Sequence, residues 1–260
     1  MGVNTLAGES LRQEVGQFYR DLLNKISALK PYDKKLTGFS ALVGSQYKNS
    51  DSRLLVYGRA VDGWRNCWQP HSPVEESLTK ILKIPEADKL ADCEMNWILR
   101  NRKNWAGSKV GSKVGYNYKS SSFWCGTRDV LKALEEKSIL TESEWPSRLA
   151  WSNVYKISPS ERGNPQEGLR SIQIPHCIQI LQAEIQHLEP NNILFITGGW
   201  GIKILESIGV KQQTTDKIVQ FAEIVKFKYG NAKVVVAVRP ERQKRTIWVT
   251  QVVSAFKSLN

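Results

Sequence analysis

Four short, predominantly apolar runs constrain this chain more than any other feature: Leu54 to Tyr57, Leu149 to Tyr155, Asn191 to Thr197 and Lys233 to Val238. They are too apolar for a half-solvated strand, so each is expected to be a strand buried on both faces. Between them, apolar residues recur at helical spacing. Leu11, Val15, Phe18, Leu22, Leu23 and Ile26 predict a helix over Glu9–Leu29. Further helices are predicted over Val74–Leu82, Cys93–Leu99, Phe123–Lys137, Ile172–Leu188, Ile202–Ile208 and Thr246–Leu259. Tyr32 to Asp51 reads as a polar loop, and Thr214 to Lys226 as a helix or an irregular excursion. Strands alternating with helices imply an α/β fold. The expected form is a three-layer α/β/α sandwich with a central four-stranded, mostly parallel sheet. No Pro- or Ser-rich linker interrupts the chain, so residues 1–260 are expected to form one domain.

In such a sheet, ligands bind in the crevice at the carboxyl ends of the strands. Four loops should project from that edge: Gly58–Trp64, Asn153–Pro165, Gly198–Gly201 and Arg239–Arg245. The first carries a carboxylate, Asp62, followed by Gly63. Taken alone, that pair suits a turn. Asn153 taken alone suits a strand end, but its amide also offers a donor and an acceptor to the edge of a nucleobase. The glycine turn at 198–201 is not G-x-G-x-x-G, and neither a G-x-x-x-x-G-K-[ST] loop nor a G-x-S-x-G elbow occurs. These absences argue against an ATPase and an α/β-hydrolase.

The charge is uneven. The chain holds 37 basic and 25 acidic residues, a formal net charge of +12. Arg100 to Arg128 holds seven basic residues and no Asp or Glu, with Trp105, Tyr116, Tyr118, Phe123 and Trp124 interleaved. Lys109, Lys113 and Lys119 in this stretch, with Arg242, Gln243, Lys244 and Arg245 in the last loop, are the candidate DNA contacts. Cations suit phosphates, and aromatic rings suit unstacked bases. The alternative is a solvated loop with its aromatics tucked inward. Cys67, Cys93, Cys125 and Cys177 form no C-x-x-C pair, and they read as unpaired buried thiols. No metal or organic cofactor is expected. No apolar stretch approaches the roughly 20 residues of a membrane helix, and Met1 to Ser10 lacks an apolar signal region. A cytoplasmic, monomeric protein that does not enter the membrane is expected.

Four short segments, in this order, resemble motifs of the uracil-DNA glycosylase superfamily. Leu55 to Gly63 resembles its first strand and water-handling loop, with Gly58 and Ala60 beside the base. Ser121-Ser122-Phe123-Trp124 resembles the segment that supplies the ring stacked on an extruded base, which implies that role for Phe123. Leu149 to Asn153 resembles the strand whose asparagine reads the base. Val236 to Pro240 resembles the last strand and the loop that enters the minor groove. Two positions depart from the pattern. Arg239 stands where the family has histidine, and Ala60 where several members carry Asp or Asn. The resemblance implies a monofunctional DNA glycosylase acting in repair or in defence against phage with modified DNA. Asp62 and Arg239 would be catalytic, and the departures suggest a non-standard base. A DNA-binding module of the same fold without catalysis is the alternative, and a hydrolase of free nucleotides is a third possibility.

Overall fold

A computed structural model of the chain describes residues 8–29, 34–60, 66–84, 90, 93–99, 117–135, 139–161, 163–208, 212–216, 224–229 and 231–259. In chain order its elements are α1 (Glu9–Ser27), β1 (Leu36–Gly38), β2 (Leu42–Val43), β3 (Leu54–Ala60), β4 (Cys67–Trp68), α2 (Val74–Leu82), α3 (Ser122–Leu134), β5 (Leu149–Tyr155), β6 (Ile157–Pro159), α4 (Glu167–Leu188), β7 (Asn192–Ile196), α5 (Gly199–Ser207), β8 (Gln212–Asp216), β9 (Ile224–Tyr229), β10 (Ala232–Ala237) and α6 (Arg245–Lys257). The short helix expected over Cys93–Leu99 is a 3-10 helix, Glu94–Leu99.

The four apolar runs pair with one another. β5, β3, β7 and β10 lie side by side and parallel. The sheet, however, has seven strands, in the order β2-β5-β3-β7-β10-β9-β8. The expected four-stranded sheet is therefore its parallel centre. Short antiparallel strands extend both edges, β2 beside β5 and the β8–β9 pair beside β10. Of Thr214 to Lys226, expected to be a helix or an irregular excursion, the described residues 214–216 and 224–226 belong to β8 and β9, which pair antiparallel. Alternation there is weak, and pairing to the edge of the sheet overrides local preference. The segment Tyr32 to Asp51, expected to be a loop, contains β1 and β2. β1 sits between β4 and β6 in a separate three-stranded sheet. Strands of two or three residues are too short for a periodic signal.

Both faces of the parallel centre of the sheet are covered. One face, with Leu55, Tyr57, Ala150, Val154, Ile193 and Phe195, packs against α1, α2, α4 and α5. The other, with Leu54, Val56, Leu149, Leu194, Ile196 and Val235, packs against α3, α6 and the 3-10 helix. The period of two along each strand produces this division. The parallel strands run 2-1-3-4 when numbered along the chain, so their order reverses between β3 and β7. Such a reversal opens the crevice where open α/β sheets bind ligands.

Candidate functional site

β3 and β5 are in register, Gly58 beside Asn153. On β3 the α3-facing row runs Leu54, Val56, Gly58; on β5 it runs Leu149, Trp151, Asn153. An apolar row thus ends, at the carboxyl edge, in a residue without a side chain and a residue with an amide. A Cβ at Gly58 would collide with Asn153 Oδ1 and lie 3.7 Å from the Phe123 ring. Gly58, Asn153 and Phe123 therefore meet at one place. β3 does not stop at its glycine, as the sequence suggests, but runs on to Ala60, which pairs with Tyr155.

Asn153 is 3% exposed. Its Nδ2 is buried and has no hydrogen-bond partner among the described residues. Leaving a buried amide donor unpaired costs about 1–3 kcal/mol, so a donor held this way is suited to an incoming acceptor.

Phe123 stands in the first turn of α3, at half burial. Ser121 caps that helix, its Oγ accepting from Trp124 N at 3.4 Å. Phe123 packs edge-on against Trp124, with ring centres 4.8 Å apart. Trp124 in turn packs edge-on against Trp97 and Trp151. The ring is backed by a rigid aromatic cluster, while part of its own surface remains open. Of the other aromatics in the basic stretch, Tyr118 and Trp124 are buried, which is the tucked-inward arrangement for those two.

The last loop meets the same helix. Pro240 and Gly126 approach across α3, where a Cβ on Gly126 would lie 3.6 Å from the proline ring. A cavity of about 130 Å³ is lined by Lys119, Ser121, Ser122, Pro240, Gln243 and Arg245, among others. Lys119, Lys244 and Arg245 are exposed. Arg245 is also held at 3.0 Å by Asp129. Arg128 is neutralised by Asp129 and Glu142, which removes it from the free cations of the stretch.

Other expected residues fall differently. Asp62, Lys109 and Lys113 lie outside the described residues, as does the Arg242 side chain. Arg239 lies at the carboxyl end of β10, where its side chain is half-exposed and paired with Glu241 Oε1 at 2.5 Å. Cys67 is exposed rather than buried; Cys93, Cys125 and Cys177 are buried, and none of the four forms a disulfide. Burial pushes the Cys177 thiol up to about 12.

Arg59 is the residue that sequence reasoning missed. Its Nε donates to the Thr197 carbonyl at 3.1 Å, bridging the ends of β3 and β7. Burial, then the nearby Arg239, push its pKa below the ordinary arginine value. The only signal for it in the sequence is its place directly after Gly58. Gly198, with φ of 60°, turns the chain from β7 into α5 within reach of the same guanidinium; its positive φ favours glycine.

The fold and site define an α/β protein in which a glycine, a buried amide and a half-buried phenyl ring meet at the carboxyl edge of the sheet. No protein-family model matches the chain, and no curated protein matches it either. Among the described residues, no helix is long and apolar enough to cross a membrane.

Proposed function

We propose that the chain is a monofunctional DNA glycosylase, which extrudes a non-standard base from DNA and hydrolyses its N-glycosidic bond. The observation that carries this reading is the meeting of Gly58, Asn153 and Phe123, with the Asn153 Nδ2 buried and without a partner among the described residues. An aromatic face for stacking and an amide for the base edge are what a site for a flipped base requires, and Gly58 leaves that amide its place. The cavity between the start of α3 and the 239–245 loop supports a strand path beside it.

In this reading the base stacks on Phe123 and accepts a hydrogen bond from Asn153 Nδ2. Cleavage of the bond between the sugar C1′ and the base nitrogen leaves its electron pair on the base and cationic character on the sugar. Asp62 stabilises that cation and orients water. The water oxygen bonds to C1′, and its two protons end on the sugar hydroxyl and the released base. Arg239 offsets charge on the leaving base once its pair with Glu241 opens, but it cannot serve as an acid near neutral pH. The partner is DNA, and the protein acts as a cytoplasmic monomer, in repair or in defence against modified phage DNA.

One observation favours the second reading, a DNA-binding module without catalysis. The Arg239 charge is already matched by Glu241, and Ala60 supplies no polar group. Alkali treatment of oligonucleotides after incubation separates the two, since an abasic site breaks and an intact strand does not. Asp62→Asn is expected to slow release by about 100-fold or more, in keeping with loss of an electrostatic contact to the transition state. Equal rates for variant and wild type would remove Asp62 from the mechanism.

A further inference from the structure

The carboxyl edge holds a second cluster, on the opposite side of the sheet from Asn153. Arg59 follows Gly58 on β3 and so turns to the other face. Its guanidinium centre lies 5.4 Å from the centre of the Trp200 ring, at the start of α5. Arg170, in the first turns of α4, lies over the same ring at the same distance, 5.4 Å. Tyr155 at the end of β5 packs edge-on against it at 5.1 Å. Four elements thus bring two guanidinium groups to one indole, an arrangement within the range of cation–π attraction.

Most of the described arginines are matched by a carboxylate; Arg53, which instead donates to Asn191 Oδ1 at 2.7 Å, and this pair are not. Arg12, Arg20, Arg128, Arg148, Arg239 and Arg245 each pair with a carboxylate. Among the described residues, Arg59 and Arg170 have no ion-pair partner, and only the Nε of Arg59 is engaged, by the Thr197 carbonyl. Like charges gathered at one ring repel unless an anion neutralises them. The cluster also stands at the reversal of strand order between β3 and β7, where a ligand is expected on fold grounds. Beside Trp200, a Cβ added at Gly199 would meet no described residue within 4 Å.

We propose that Arg59, Trp200 and Arg170 form a phosphate subsite that holds a backbone phosphodiester of the DNA strand carrying the extruded nucleotide. This rests on the glycosylase reading. The guanidinium fork matches two phosphate oxygens, and the indole fixes both planes. Contact to phosphate carries no sequence information, so the subsite positions the strand and leaves base choice to Asn153.

The test is fluorescence anisotropy of a labelled oligonucleotide with the full chain, across a KCl series. Wild type, Arg170→Ala, Arg170→Gln and Arg170→Lys are compared, with thermal unfolding to identify variants that fold. Removing one phosphate contact is expected to reduce the steepness of log K against log salt by about 0.7–0.9. Arg170→Ala and Arg170→Gln should both show this for every oligonucleotide sequence, while Arg170→Lys keeps the slope and loses a few-fold in affinity. Unchanged slopes in both neutral variants, with the wild type binding DNA, overturn the subsite and leave the glycosylase reading standing. Absence of DNA binding by the wild type overturns both. Competition by inorganic phosphate well beyond that of chloride at equal ionic strength, lost in Arg170→Ala, would assign the site to free phosphate and overturn the phosphodiester.

Discussion

Position 58 is fixed as glycine by what stands beside it: a side chain there would occupy the space that Asn153 Oδ1 fills, within ordinary contact distance of Phe123. Gly58→Ala is therefore expected to displace the Asn153 amide before it unfolds the protein. Overpacking of one methyl costs about 1–3 kcal/mol, and base release should fall by far more than stability does. A urea melt set beside a release assay checks this; release at the wild-type rate would mean that the base does not sit there. At this scale the sequence was partly legible. Asn153 and Phe123 were found through their flanking motifs, and the structure brings them together with Gly58. Arg59 was not found, because its interest lies in Thr197 and Arg239, both distant in the chain.

The elements that carry these residues are fastened by buried polar groups. Glu135, at the end of α3, has a buried carboxylate. It accepts from Ser52 N at 2.8 Å and from the hydroxyls of Ser50 and Ser52, just before β3. This clip joins the helix bearing Phe123 to the strand bearing Gly58. Burial raises the Glu135 pKa, but the hydrogen bonds from Ser50 and Ser52, with Arg148, outweigh it and hold the group below 4.5. A carboxyl held low adds stability that is complete above its unfolded-state value and lost as pH falls through the folded one. Glu135→Gln should cost about 1.5–3 kcal/mol at neutral pH, with the gap to wild type closing below pH 4.5. A constant gap across that range, measured by chemical unfolding, would show that charge is not what the clip uses.

On the opposite face, Lys156 Nζ lies 2.8 Å from Glu184 Oε1, both side chains essentially unexposed, with Tyr57 and Ser152 donating to the same carboxylate. Tyr57 and Ser152 neighbour Gly58 and Asn153 in the chain, so the pair secures the paired ends of β3 and β5 from below. Lys156→Met leaves a buried charge and should cost about 3–5 kcal/mol, much of it recovered in Lys156→Met with Glu184→Leu. A single-variant cost under about 1 kcal/mol in urea unfolding would contradict this. Neither clip was legible in the sequence, because each joins residues that only the fold brings together. The helices and the four parallel strands were legible, since continuous apolar runs and helical spacing are local signals.

At the scale of the molecule, the parallel centre fixes four strand ends on one edge, and that arrangement followed from alternation alone. The flanking strands did not, because short edge strands are selected by pairing rather than by their own composition. The excess of 12 positive charges gives a general attraction to nucleic acid, but only the edge gives that attraction a place: Asn153 and Phe123 on one side, Arg59 and Arg170 on the other. The most direct measurement is release of free base, by mass spectrometry, from oligonucleotides carrying standard, damaged and modified bases, with wild type and Asn153→Ala side by side. The account predicts that wild type releases at least one non-standard base and that Asn153→Ala, still folded, releases it about 100-fold more slowly or worse, the loss expected when a site's polar partner to its substrate is removed. Release of no base from any substrate, or equal rates for the two proteins, would contradict it.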